Sequence, residues 1–373
     1  MKVLIVSSIM PPEIGGPASY VSEIVSRLNN KHQFRIITFT KDPQPVDGAD
    51  IVAISQNGNS VIRQTRLLWE VFKKTFWADK VYSMDPTVVG LSSAIAGKIL
   101  RKKTYIKYVG DPAWESAFGE GKTKKFLGNF LDRPDSGLSG RILILATWLT
   151  FRLADKIIVP SVFLSLIVTE KYKINESKVR VIYNAIETNR QPVRKYVKKP
   201  VYTVVSAGRL VTWKRIDGVI RAINDVNSMG KIRVRLRIIG DGPQRPSLES
   251  ISGSNIEFLG RLSREETRRK IAEADLYILN SVYEGLPHTV IEAFSVGTPV
   301  IATDIPGTNE IAINNQTALT VKPENPADLA KAITRLMENP RLSNKLALAG
   351  AKLIASRFNW KTSIQFLGGV LGE

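Results

Sequence analysis

Cysteine is missing from all 373 residues, which excludes disulfides and thiolate chemistry and permits a cytoplasmic home. The only histidines are His32 and His288. Long apolar runs are also missing. The best candidate, Ile142 to Phe151, is ten residues bounded by Arg141 and Arg152, too short to span a bilayer. No leader peptide is visible, because Met1-Lys2 runs directly into the strand-like VLIVS. No segment is of low complexity, and no recognised nucleic-acid-binding module occurs. Acidic residues are scarce: 34 Asp and Glu stand against 53 Lys and Arg, a net charge of +19. The excess leans toward the N-terminal half, with 29 basic and 17 acidic residues before position 196. Such a balance suits an anionic partner, although a solvated basic surface gives the same count.

What is present reads as two α/β domains. The length fits two domains of ordinary size, and a hydrophobic fraction of 43% is enough for a real core. Buried strands are expected at Lys2–Ser7, 34–39, 50–54, Lys80–Ser83 and 104–109, with helices at 18–28, 61–76 and 87–100. This alternation implies a parallel sheet covered on both faces, with ligands beyond the carboxyl ends of its strands. The first loop carries Gly15-Gly16 between a strand and a helix, which is either a phosphate approach or a simple tight turn. It is not the G-x-G-x-x-G of dinucleotide binders. Asp111 sits at a strand end before Pro112, placed either to orient a hydroxyl or to form a turn. The segment 119–140 is rich in Gly, Lys and Asp and is expected to be a mobile excursion. Residues 188–200 are polar, basic and proline-containing, as an inter-domain linker would be.

The helix over 61–80 interleaves Trp69, Phe72, Phe76 and Trp77 with Arg63, Arg66, Lys73 and Lys74. That pattern suits an anionic membrane surface. It equally suits aromatics packed on the sheet with cations reaching outward.

Two stretches of the second half carry chemistry. In the first, a strand at 202–206 delivers Gly208 and Arg209 to its carboxyl end, and Lys214 follows across a loop. A planar guanidinium and a point-charge ammonium there can clamp a diphosphate. In the second, SVYEGLPHTVIEAF, Glu284 lies in a loop and Glu292 on the helix after it. Gly285 permits close backbone approach, and Pro287 suits a helix entry. The amides near His288 and Thr289 then face outward at a helix N-terminus, where an anion is favoured. Carboxylates beside such a site are suited to sugar hydroxyls, because they accept hydrogen bonds only.

Glu284-Gly-Leu-Pro with Glu292 resembles the E-x7-E element of retaining GT-B glycosyltransferases of the family 4 (group 1) type. The resemblance extends over GTPVIATDIPG and over Gly208-Arg209 with Lys214. It implies two facing doubly wound, Rossmann-like domains with a cleft between them. Residues 1–190 would bind the acceptor, residues 200–357 the nucleotide sugar, and a helix at about 358–373 would cross back onto the first domain. Arg209 and Lys214 would neutralise the leaving diphosphate, Glu284 would hold the donor sugar, and Glu292 the ribose. The backbone of Gly285, Leu286, Pro287, His288 and Thr289 would touch sugar and phosphate. Gly16 would face the donor phosphate, and Arg261 would lie at the base. Many members carry a histidine at the Val109–Glu115 switch; here Asp111 stands in its place.

The implied activity is retaining transfer from a UDP- or GDP-sugar to a hydroxyl, in cell-surface polysaccharide or glycolipid assembly. No cofactor or metal is expected, since no D-x-D string occurs. The expected partners are a nucleotide sugar, a sugar or lipid-linked glycan acceptor and an anionic membrane surface, with no nucleic acid. The expected location is cytoplasmic, on the inner face of the cell membrane. A sugar-nucleotide epimerase, a nucleotide-sugar binder without catalysis and a basic nucleic-acid-binding protein are the alternatives.

Overall fold

The structure is a computed structural model describing residues 1–13, 15–55, 59–187 and 196–372, without the side chains of residues 60 and 61. It divides into two compact units: Met1–Ala117 with Leu127–Ile182 and Ile364–Glu373, and Tyr183–Ser363 with Phe118–Phe126.

The first unit is built on seven strands. They are β1 (Lys2–Ser7), β2 (Gln33–Thr38), β3 (Ala49–Ala53), β4 (Lys80–Ser83), β5 (Lys103–Lys107), β6 (Lys156–Val159) and β7 (Val179–Val181). All pairings are parallel, in the order β3-β2-β1-β4-β5-β6-β7. The chain starts mid-sheet, winds out to one edge, then returns and winds to the other. Val3, Leu4, Ile5 and Val6 of β1 have no exposure. That is the reason the strand reads as a continuous apolar run: crossover helices cover both faces.

The second unit repeats the plan with β8 (Val201–Ala207), β9 (Arg233–Ile239), β10 (Ile256–Gly260), β11 (Leu276–Leu279), β12 (Val300–Thr303) and β13 (Leu319–Val321). These too are parallel, in the order β10-β9-β8-β11-β12-β13. One core, including Val219, Ile223, Leu236 and Ile333, lies on one side of the sheet. Another, including Tyr277, Ile291, Phe294 and Phe358, lies on the other. The winding reverses between β8 and β11, so the carboxyl ends of these two strands form the switch point where a ligand is received.

Three expectations change. The segment 119–140 contains ordered structure: a helix at Leu127–Asp132 buries Leu127 and Phe130, and a second begins at Gly137. In the expected linker, residues 188–195 lie outside the described residues. Tyr196 is buried, and its hydroxyl donates to the Gly297 carbonyl at 3.1 Å. In the helix Ser60–Trp77 the aromatics divide: Phe72 and Trp77 pack against the core, whereas Trp69 and Phe76 are 66% and 63% exposed.

Candidate active site

Two loops meet at the switch point of the second sheet. The first leaves β8 through Gly208 and Arg209, makes a 3-10 turn at Thr212–Lys214 and enters the helix Ile216–Ser228. The second leaves β11 through Asn280 and reaches Glu284 before the helix His288–Ser295. The Val282 amide donates to the Trp213 carbonyl at 2.8 Å, and the Asn280 Nδ2 donates to the Arg215 carbonyl at 2.9 Å. Arg215 has φ of 48°, a left-handed conformation uncommon for a residue with a side chain. The Asn280 bond holds that turn and so fixes where Lys214 points.

Lys214 Nζ lies 2.6 Å from Glu284 Oε1. The Ser281 hydroxyl donates to the same oxygen, also at 2.6 Å. Among the described residues no hydrogen bond reaches Oε2. The side chains of Lys214 and Glu284 are 19% and 10% exposed, so their attraction is screened less than at an open surface. Arg209 is exposed, with its guanidinium 5.5 Å from the centroid of the buried Trp213 ring.

Glycines close the floor and roof of this site. Gly240, after β9, has φ of 126°, and an added Cβ would stand 1.9 Å from the Gly208 carbonyl oxygen. Gly307, in the short turn Pro306–Asn309, would place a Cβ 1.8 Å from the Glu284 carbonyl oxygen. Only glycine lets these backbones approach so closely.

Glu292 is buried on the helix after Glu284 and is already paired. Arg264 Nε donates to Oε1 at 3.0 Å, and His288 Nδ1 lies 3.4 Å from it. Burial pushes this carboxyl pKa up, but His288 and Arg264 outweigh burial and hold it below the usual value. Tyr277, on β11, donates to the Ala207 carbonyl at 3.2 Å. Burial raises its pKa, so it remains a phenol. This tyrosine ties β11 to the end of β8, and the helix His288–Ser295 follows β11. The start of that helix has no side-chain cap, Leu286 is buried, and Pro287 takes the cap position.

The residues expected at the site are distributed as follows. Arg209, Lys214, Glu284, Gly285, Leu286, Pro287, His288, Thr289 and Glu292 all lie on the two loops or the helix after them. Arg261 follows β10, two strands away, exposed and 4.0 Å from Asp241. Gly16 is exposed at the first turn of the helix Gly16–Leu28 in the first unit.

Asp111 has no exposed surface. Its Oδ1 caps the helix Pro112–Gly119 through the Trp114 amide at 3.0 Å. Its Oδ2 accepts from the hydroxyls of Tyr108 at 3.0 Å and Tyr172 at 2.6 Å. Burial raises its pKa against those hydrogen bonds. Its geometry is that of a buried helix cap, with both carboxylate oxygens hydrogen-bonded.

Sequence reading did not single out Ser281, Asn280, Arg264 or Gly307. Ser281 and Glu284 stand three apart, the spacing at which a hydroxyl meets a carboxylate on a turn, and that signal was available. Arg264 and Gly307 are brought in by the fold. Lys107, at the end of β5, was also missed. It is 3% exposed, and its Nζ lies 3.9 Å from the Tyr20 ring centroid. That Nζ has no hydrogen-bond partner among the described residues, and burial lowers its pKa to about 7.

Among the described residues no helix is long and apolar enough to cross a membrane.

Comparisons with known proteins identify the family and the fold. The family described as "Glycosyl transferases group 1" matches residues 185–353, and "Glycosyltransferase Family 4" matches residues 14–190. An uncharacterized glycosyltransferase of Methanocaldococcus jannaschii is 22% identical over 98% of this chain and 96% of its own. A lipopolysaccharide core biosynthesis glycosyltransferase of Rhizobium meliloti is 29% identical over 43% of this chain and 46% of its own. The crystal structure of Anabaena Alr3699/HepE in complex with UDP and glucose superposes with a TM-score of 0.77 at 18% identity, covering 100% of this chain and 99% of that one. Its likeness shows the fold, GT-B. With the two families together covering residues 14–353, the chain belongs to the group 1, family 4 glycosyltransferases.

Proposed function

We propose that this glycosyltransferase moves a sugar from a nucleoside diphosphate sugar to a hydroxyl acceptor with retention at the anomeric carbon and without a metal ion. The observation that carries the reading is the Lys214–Glu284 pair at the switch point, with Arg209 on the same loop as Lys214, over the Trp213 ring. The carboxylate accepts from sugar hydroxyls and the two cations meet a diphosphate, so one small site offers both halves of the donor. As donor binds, its phosphates compete for Lys214, and Glu284 Oε2 is available to the sugar.

In the transfer, the bond from the anomeric carbon to the diphosphate oxygen breaks and the bond to the acceptor oxygen forms on the same face. The acceptor proton passes to the departing phosphate. Arg209, Lys214 and the amides at His288 and Thr289 stabilise the charge that develops on the diphosphate. Because these charges are fixed before reaction, they do without the cation that a D-x-D site would hold. Glu292 holds the ribose after exchanging part of its contact with Arg264. UDP is the favoured base, given the UDP bound to the Anabaena relative, and GDP is the other candidate. A cell-surface polysaccharide or glycolipid is the favoured acceptor class, given the lipopolysaccharide relative.

The test is an NMR assay of donor turnover in the presence of EDTA, with and without a hydroxyl acceptor. The reading expects acceptor-dependent release of the nucleoside diphosphate and a product with the donor's anomeric configuration. Turnover of the sugar nucleotide to an isomer without acceptor would identify an epimerase. An inverted product would overturn retention.

A further inference from the structure

The first unit carries two apolar stripes that neither its core nor the donor site uses. The helix Gly137–Leu153 exposes Leu138, Ile142, Leu145 and Leu149. At 3.6 residues per turn these four fall within an arc of about 60°. The helix Ser60–Trp77 exposes Ile62, Trp69 and Phe76 along one line, and Arg66 and Lys73 fall on that same line between them. Its opposite side, through Leu67 and Val71, enters the core. Both helices pack against the helix Val88–Ile99, so the stripes belong to one layer on one face of the first sheet.

In the sequence, 142–151 reads as helical and as too short to span a membrane. The structure turns its leucines outward. Exposed apolar stripes on two helices of one layer mark an interaction site.

Charge selects the occupant. The three helices contain seven basic residues and a single acidic one, Glu70. The chain as a whole is +19. A second copy of this face would meet it with the same sign, which opposes self-association. A bilayer bearing anionic headgroups takes apolar side chains below the headgroup level and cations at it. We propose that the layer formed by the helices Ser60–Trp77, Val88–Ile99 and Gly137–Leu153 docks on an anionic lipid surface, with Trp69, Phe76 and the Leu138–Leu149 stripe as its apolar anchors. The inference deepens the transferase reading by giving a lipid-linked acceptor a surface from which to be met. Its physical basis is independent of that reading.

The test is flotation of the full chain with vesicles of phosphatidylcholine alone and of phosphatidylcholine mixed with phosphatidylglycerol. Wild type is compared with Ile142→Glu/Leu145→Glu and with Trp69→Ser/Phe76→Ser. The proposal expects flotation with the anionic vesicles, weakened by salt, and little with the neutral ones. Each double variant should lower the partition coefficient roughly ten-fold or more, since each removes two large apolar anchors. All these side chains are exposed, so the variants should keep the wild-type melting temperature and its rise with nucleoside diphosphate. Wild type that stays in solution with anionic vesicles, or variants that float as well as wild type, would overturn the docking face. A wild-type dimer that Ile142→Glu/Leu145→Glu dissociates would assign the stripe to a second copy instead. Flotation without any nucleotide response would leave the face standing and remove the donor reading. A nucleotide response without flotation would do the reverse.

Discussion

The Lys214 ammonium and the Glu284 carboxylate are 2.6 Å apart although they come from loops 70 residues apart in the chain. In the function proposed above, the two charges take separate duties once donor is bound. Removing the ammonium leaves the carboxylate with Ser281 alone and takes one fixed charge from the leaving group. Lys214→Ala should therefore lower kcat by about 10²–10³, the effect of losing one preorganised charge contact. Steady-state kinetics beside a melting curve check this. A folded variant with near-normal kcat would remove Lys214 from the mechanism.

Gly307→Ala should damage the same site from outside it. The new methyl would stand 1.8 Å from the Glu284 carbonyl oxygen, so the loop bearing the carboxylate must shift. Overpacking of this kind costs about 1–3 kcal/mol of stability. Donor affinity should fall with it, roughly ten-fold or more, because displacement by a fraction of an ångström spoils both the carboxylate and its ion pair. Calorimetric titration and thermal melting of this one variant read both effects. Unchanged donor affinity would show that the roof over Glu284 does not position it.

Strand positions and the two loops at the switch point were legible because they depend on local signals. Lys2–Ser7, Lys80–Ser83 and Arg233–Ile239 are bounded strands, and Arg209, Lys214 and Glu284 sit at strand ends where loops deliver side chains. What was not legible depends on partners far along the chain. Asp111 has the sequence of an accessible strand-end carboxylate, yet Tyr172, 61 residues on, closes over it. Glu292 acquires Arg264 from 28 residues upstream. Trp69 and Phe72 are three residues apart, and only the packing of their helix shows that one is exposed and the other is against the core.

Glu292 should read the ribose. A hydroxyl bonded to a carboxylate contributes about 1.5–3 kcal/mol. Wild type should therefore bind a 2′-deoxy or 3′-deoxy nucleoside diphosphate roughly ten-fold or more weakly than the ribose form. In Glu292→Gln that discrimination should shrink. Competition binding with the two deoxy analogues is the measurement. Equal discrimination in wild type and variant would place the ribose elsewhere.

Lys107 should make stability depend on pH. Its folded pKa of about 7 lies below the ordinary 10.5, so the unfolded chain holds the proton more tightly. The cost of burying the charge is complete below pH 7 and is lost as pH rises toward 10.5, reaching at most about 5 kcal/mol. Lys107→Met should thus stabilise the protein at pH 6 by a few kcal/mol, with the gain fading toward pH 10. Denaturant unfolding at several pH values tests the slope. Destabilisation at pH 6 would mean that the ammonium has a partner in solution.

The most direct test of the account is calorimetric titration of UDP- and GDP-sugars in the presence of EDTA into wild type and Lys214→Ala. The account predicts binding of one base by wild type without metal, and clearly weaker binding by the variant. No binding of either sugar nucleotide to folded wild-type protein, or binding that Lys214→Ala leaves untouched, would contradict it.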